Sequence, residues 1–375
     1  MMTCAFRVVR QHLVIMLALA PGSLDAQESL FAIDSVGSTE GDDAFGLIVE
    51  IAVSSEGALA VAQVGLGEVW VFDAGGKRQV VGRRGEGPGE FGFVSAVAWR
   101  SDTLVVVEGR RQRVSLMAGD GRYLRGHTTI SSPATVRYGP MGYLRSGLTV
   151  AAPRVTSSST PAAKPILLVG TDDRIVDSLG EVRHRRVGVN ATLASGIMIA
   201  FQHPLPNFTR TALSPDGRYF ATADEHEGRD GSELQFALYD DTGKELGRTA
   251  VNLETGPTSD DDVLERVGNL IEDLSKDLPV VSVRNSILDA VQQPDRLPAL
   301  SSFLLDNAGR LWVGSMGKGG SVVWRAWSID GDLVRTWLVE PGLDVRQIYN
   351  GGAAAIRPDN VAGWRVVFLK PQGAE

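Results

Sequence analysis

Short apolar runs bounded by Gly, Asp or Ser recur along most of this chain, at lengths that suit strands rather than helices. In the first copy, residues 51–53, the turn Ser55-Glu56-Gly57, residues 59–61, residues 69–72 and the turn Asp73-Ala74-Gly75-Gly76 follow one another. The same order returns at 97–99, Ser101-Asp102, 104–107, 114–117 and Gly119-Asp120-Gly121. It returns again at 212–213, Ser214-Pro215-Asp216-Gly217, 219–222, 234–239 and Asp241-Thr242-Gly243, and at 303–305, Asp306-Asn307-Ala308-Gly309, 311–313, 324–329 and Asp330-Gly331. Asp and Gly supply the positive φ angles that tight turns between antiparallel strands need. Two weaker copies, at 141–173 and 346–369, complete the set. The last lacks an outer strand, and residues 30–36 form an unassigned strand that completes it. The pattern predicts an all-β fold, a six-bladed β-propeller closed by its N-terminal strand, because ring closure protects sheet edges from unwanted pairing.

The copies run longer than the roughly 40 to 50 residues of a four-stranded blade, so insertions are expected. The largest covers residues 260–298, between blades 4 and 5, where Val263, Leu264, Val267, Leu270, Ile271 and Leu274 recur at helical spacing behind Asp260-Asp261-Asp262. An amphipathic helix is predicted there, either as a lid packed on one propeller face or as a partner-binding helix. A second insertion, residues 153–165, is rich in Ser, Thr, Ala and Pro and reads as a surface loop.

The N-terminus changes the picture of where this fold works. Arg7 and Arg10 precede the uncharged run 13–20, and Ala26 offers a small residue for cleavage, so residues 1–26 read as a secretory signal and 27–375 as one propeller domain. Export to the periplasm or the extracellular space is the expectation. The only cysteine, Cys4, lies in the signal, which leaves no thiol for disulfides, nucleophilic catalysis or metal binding. The formal charge of −8 becomes −9 once Arg7, Arg10 and Asp25 are removed, which gives no case for nucleic acid or anionic lipid as a partner. No second apolar run of membrane-spanning length follows residue 20. The 43 glycines among 375 residues fit many tight turns between short strands.

The segment Gly82-Arg83-Arg84-Gly85-Glu86-Gly87-Pro88-Gly89-Glu90-Phe91, followed by a strand and then Arg113-Val114-Ser115-Leu116, resembles the inter-blade linker of bacterial secreted six-bladed propellers related to NHL repeats. The turn and strand from Asp306 to Val313, with Trp312, is similar to the same family's recurrent unit. Glycines let this linker pass sharply between blades while Phe91 wedges between sheets. Arg83, Arg84, Glu86 and Glu90 either line a binding face or simply form a turn.

Catalytic signatures are near misses. Residues 314–321 lack the first glycine and the Ser or Thr after Lys318 that a phosphate loop requires, and His226-Glu227 lacks the second histidine of a zinc-protease helix. No Gly-x-Ser-x-Gly elbow occurs. The acidic residues 224–233 lack the alternate spacing of a calcium loop and read as a solvated loop between strands, and Arg183-His184-Arg185-Arg186 reads as a charged edge. His203, Asn207 and Arg210 precede an inner strand, where propellers expose side chains around the central opening. Beside a structural or assembly role at the cell envelope, two functions compete. One is a non-catalytic module holding a protein, peptide or small-molecule ligand on a propeller face, with Arg83, Arg84, Glu90, His203, Asn207 and Arg210 as candidate contacts and no evident cofactor or metal. The other is a hydrolase or lactonase resembling gluconolactonase-type propellers, and that resemblance implies a divalent metal such as calcium, for which Glu50, Asn190 and Asp306 are the residues in view.

Overall fold

A computed structural model describes residues 28–37, 44–128, 138–153, 163–182, 188–202, 209–227, 231–253, 255, 257–276, 278–291, 293, 299–316, 321–349, 351–359 and 363–371. Strand β1 (Glu28–Val36) opens this stretch. β2 (Ile48–Val53), β3 (Leu59–Gln63), β4 (Val69–Phe72) and β5 (Arg78–Val81) then form an antiparallel sheet in sequence order. A short parallel pair, β6 (Arg83–Arg84) and β7 (Glu90–Phe91), leads to a second such sheet, β8 (Ala96–Arg100), β9 (Thr103–Glu108), β10 (Arg113–Ala118) and β11 (Tyr123–Thr128). The third contains β12 (Tyr138–Tyr143), β13 (Thr149–Pro153), β14 (Lys164–Val169) and β15 (Ile175–Val182). After the hairpin β16 (Gly188–Thr192) and β17 (Met198–Gln202), the fourth contains β18 (Arg210–Leu213), β19 (Tyr219–Glu227), β20 (Ser232–Asp240) and β21 (Glu245–Leu253).

Three helices follow, α1 (Asp260–Arg266), α2 (Gly268–Leu274) and α3 (Val280–Ala290). The remaining strands are β22 (Ser302–Leu305), β23 (Leu311–Met316), β24 (Val322–Trp327), β25 (Leu333–Val339), β26 (Asp344–Tyr349), β27 (Gly352–Asp359) and β28 (Gly363–Pro371). With β1 they make one eight-stranded sheet in the order β22-β23-β24-β25-β1-β28-β27-β26. Its midpoint is thin. β1 meets β25 in parallel only at Glu28↔Trp337 and Ser29↔Leu338, whereas its antiparallel pairing with β28 runs from Leu30↔Pro371 to Val36↔Val366.

Burial follows position in each sheet. β3 and β4 are buried at every residue, while β11 is mostly exposed, as expected when middle strands are covered on both faces by neighbouring sheets and outer strands meet water. The first strands adjoin one another: β2 touches β8 and β26, β12 touches β8, and β22 touches β18 and β26. The Thr211 hydroxyl on β18 reaches the Met141 sulfur on β12, 3.7 Å away. Together the sheets make an all-β, propeller-like fold.

Arg100, at the end of β8, ties three of these sheets together. Its guanidinium donates to the Tyr143 carbonyl at 2.7 Å, to Trp99 at 2.7 Å and to Pro215 at 2.6 Å. Burial pulls its pKa down to about 10, with Asp216 opposing the shift.

Two expectations need correcting. Among its described residues the insertion holds three short helices rather than one. The apolar stripe continues from Val263 to Ile271, but Val267 has non-helical angles (φ −109°, ψ 16°) and Gly268 follows, a β-branched residue and a glycine that both weaken a helix interior. The hairpin β16–β17 was not foreseen. Val189 on it packs with Val263, Val267, Ile271, Val283 and Ile287, so hairpin and helices form one cap with its own apolar core. The acidic stretch is also more ordered than a solvated loop, because β19 and β20 pair out to Glu227↔Ser232. Residues 154–162, most of the second insertion, lie outside the described residues.

Candidate functional site

The outer strand of each sheet returns to the end at which the next first strand begins. The 82–95 linker, the hairpin β16–β17 and the helices α1–α3 all lie in such connections, and so they share this leading end of the sheets.

The linker is built around Phe91, which is fully buried. Gly82 (φ +76°) allows this, since a Cβ there would lie 2.2 Å from the Phe91 ring. Glu90 closes the loop on itself. Its carboxylate accepts from the Gly87 N–H at 2.9 Å, the Glu86 N–H at 3.0 Å and the Arg83 guanidinium at 2.8 Å. Those donors, Gly87 first, hold its carboxyl below the ordinary carboxylate range. Arg84 is exposed.

Two arginines clamp this loop from the β9–β10 turn: Arg111, which the sequence did not single out, and Arg113, which figured there only as part of the linker resemblance. Arg111 donates to the Gly85 carbonyl at 2.5 Å and to the Glu86 carboxylate at 2.9 Å. Arg113 donates to the Glu86 carbonyl at 2.9 Å and to the Glu90 carbonyl, and to Glu108 at 2.5 Å. Glu108, 1% exposed, also accepts from the Gly92 N–H at 2.7 Å. Replacing Glu108 with Ala strands a largely buried guanidinium and a backbone N–H, so a loss of roughly 3 kcal/mol is expected. A urea midpoint equal to that of the wild type would refute the clamp.

A second group stands where the first strands adjoin. Glu50 on β2 lies deep in the fold yet keeps 28% of its side-chain surface accessible, and its carboxylate is 4.0 Å from the Arg346 guanidinium on β26, itself 31% accessible. Arg346 also pairs with Asp344 at 2.6 Å. Burial pushes the Glu50 carboxyl up to about 7, against the opposing influence of Arg346 and of the Ile51 N–H, which donates to it at 3.1 Å.

The other candidates disperse. Arg210 begins β18, its guanidinium lowered by burial with Glu225 opposing. Glu225 in turn accepts from the Ala299 and Leu300 N–H groups at 2.7 and 3.2 Å, which fastens the cap's return to the sheet. His203, Asn207 and the run 183–186 lie outside the described residues. Asn190 is exposed on the cap hairpin. Asp306 is committed to its turn, accepting from the Ala308 and Arg310 N–H groups, the Arg310 guanidinium and the Trp312 indole at 2.6–3.0 Å. Both Asp306 oxygens are thus engaged within its own turn. Among the described residues no three His, Cys, Asp or Glu side chains converge.

These sheets, stacked through adjoining first strands, define a β-propeller protein. No protein-family model and no curated protein matches the sequence. Among solved structures the chain is similar to a Bacteroides fragilis protein thought to be exported (12% identity, 92% of this chain and 95% of that one, TM-score 0.46). It is also similar to the calcium-binding protein regucalcin from Agrobacterium tumefaciens (13%, 92% and 96%, TM-score 0.44). A third likeness is to the PQQ-bound aldose sugar dehydrogenase from Streptomyces coelicolor (11%, 92% and 99%, TM-score 0.45).

Proposed function

We propose that this chain is an exported six-bladed β-propeller that binds a small polar ligand without converting it, at the leading end of its first strands, through Glu50 and Arg346. On this reading the halves of the eight-stranded sheet are separate blades, making six in all, and the β1–β28 pairing supports taking β1 as the outer strand of the last. The contacts of β2 with both β8 and β26 support a closed ring. Export rests on the signal-like residues 1–26.

The observation that carries the reading is the Glu50–Arg346 pair itself, a carboxyl and a guanidinium reached by solvent inside the ring. Protonated, Glu50 donates a hydrogen bond. Arg346 offers a cation beside it, so a ligand bearing a carboxylate or clustered hydroxyls satisfies both. One observation favours a catalytic alternative: a carboxyl poised near 7 also suits proton transfer at neutral pH.

Thermal-shift screening of the mature chain against carboxylates, sugars, lactones, peptides and calcium tests the proposal, because a ligand that prefers the native state raises its apparent stability. Shifts lost in Arg346→Met support the site. Shifts retained in both Arg346→Met and Glu50→Gln sink it. Lactone turnover abolished by Glu50→Gln would replace binding with catalysis.

Glu50 also predicts a pH dependence. The folded chain holds its proton between about pH 4.5, the unfolded value, and about pH 7. The associated stability is therefore fully present below 4.5 and lost as pH rises through 7, a change on the order of 3 kcal/mol. The groups facing Glu50 are Arg346 and Asp344 on β26. Glu50→Gln should flatten the profile, and parallel wild-type and variant profiles from about pH 5 to about pH 8 would contradict this.

A further inference from the structure

The cap carries a groove that the Glu50 site does not use. It is an open groove of about 730 Å³ lined by residues of α1, α2 and α3, within the roughly 300–1,000 Å³ range of ligand sites. Leu264, Ile271 and Val280 supply apolar lining, and Asp261, Glu265 and Glu272 supply carboxylates. Of the two cations on it, Lys276 is held by Asp273 at 2.8 Å, while Arg284 is exposed. Ser275 also lines the groove, and its Oγ has no hydrogen-bond partner among the described residues.

Two observations say what kind of occupant fits. Residues 260–298 hold nine acidic and four basic residues, so this segment carries −5 of the chain's formal −8. The apolar surface does not stop at the groove's rim, since Val281 beside it is 69% exposed. A small amine would cover the carboxylates and leave that valine wet. A longer chain covers both.

We infer that the groove between α1, α2 and α3 receives a basic, amphipathic peptide segment of a partner protein, its cationic side chains meeting Asp261, Glu265 and Glu272 and its apolar ones meeting Leu264, Ile271 and Val280. Apolar contacts supply the affinity in this mode, while the charges select the partner and speed encounter. The inference is independent of Glu50 and Arg346, which lie on strands outside the cap.

The test uses the full mature chain and a fluorescent Lys/Leu peptide of roughly twelve residues, read by anisotropy. A Lys/Ser peptide of equal charge, a Glu/Leu peptide and spermine serve as competitors. The Lys/Leu peptide is expected to bind, the others to compete poorly, and Glu265→Gln/Glu272→Gln to weaken binding roughly tenfold, the effect of two exposed charge contacts. Val280→Ser/Val281→Ser should weaken it as well while leaving the urea midpoint nearly unchanged, because both side chains are exposed. Equal competition by spermine or the Lys/Ser peptide would show charge alone at work and overturn the inference. So would unchanged binding in both double variants, or sedimentation showing that the groove instead joins two copies of this chain. Retention of peptide binding in Arg346→Met keeps the result separate from the fate of the Glu50 site.

Discussion

A chain lacking residues 28–36 is expected to lose on the order of 5 kcal/mol, enough to cancel the net stability of an ordinary domain. β1 supplies the ladder partner for β28 along its length, from Leu30↔Pro371 to Val36↔Val366. It also gives the Trp337 indole its acceptor, Glu28, at 3.0 Å. Leu30 is buried with Trp312, Trp324 and Trp337. Without β1, β28 becomes an open edge flanked by exposed tryptophan, the condition under which strands recruit strands from other molecules. The truncated chain should therefore aggregate and bind a hydrophobic dye, and a synthetic peptide of residues 28–36 added in trans should restore a cooperative unfolding transition. A soluble truncated chain with an unchanged midpoint would show that β1 decorates the sheet rather than completing it.

The second large effect is expected at Asp306. This residue is 2% exposed, and its carboxylate satisfies two backbone N–H groups, the Arg310 guanidinium and the Trp312 indole. Asp306→Ala leaves all four donors without that acceptor, next to a pair of indoles whose ring centroids are 4.2 Å apart. A loss of roughly 4 kcal/mol follows from removing the centre of a buried hydrogen-bond network. Asp306→Asn should recover part of it, because one oxygen remains while the new NH₂ opposes a donor. Asp240 provides the internal comparison. It accepts from Thr242 and Lys244 in the same kind of turn but lies nearer the surface, so Asp240→Ala should cost only about 1 kcal/mol. Equal losses at the two positions would show that burial does not set the cost.

The turns were readable because their chemistry is local. Ser214-Pro215-Asp216-Gly217 and Asp306-Asn307-Ala308-Gly309 each bend the chain with their own residues, and Gly217 and Gly309 have the positive φ that such turns require. The role of Asp306 as a turn residue could be read for the same reason. The linker's shape was legible from its glycines and Phe91, but its clamp was not. Arg111 and Arg113 lie more than twenty residues from the carbonyls they bind, and nothing in Arg-Arg-Gln-Arg distinguishes a clamp from a solvated turn.

What the chain's own pattern determined is the strand-and-turn units and the spare strand 30–36 that pairs with β28, because alternation, turn chemistry and an unpartnered strand are properties of neighbouring residues, whereas the outer strands β5, β11, β15, β21 and β25 are not legible in it. Tertiary structure alone decided which first strands adjoin. That choice brings Glu50 within 4.0 Å of Arg346, 296 positions away, and surrounds its carboxyl with enough protein to raise its pKa while leaving part of the side chain accessible. It also joined the hairpin β16–β17 to three helices beyond β21 as one cap, since neither part buries its apolar face without the other.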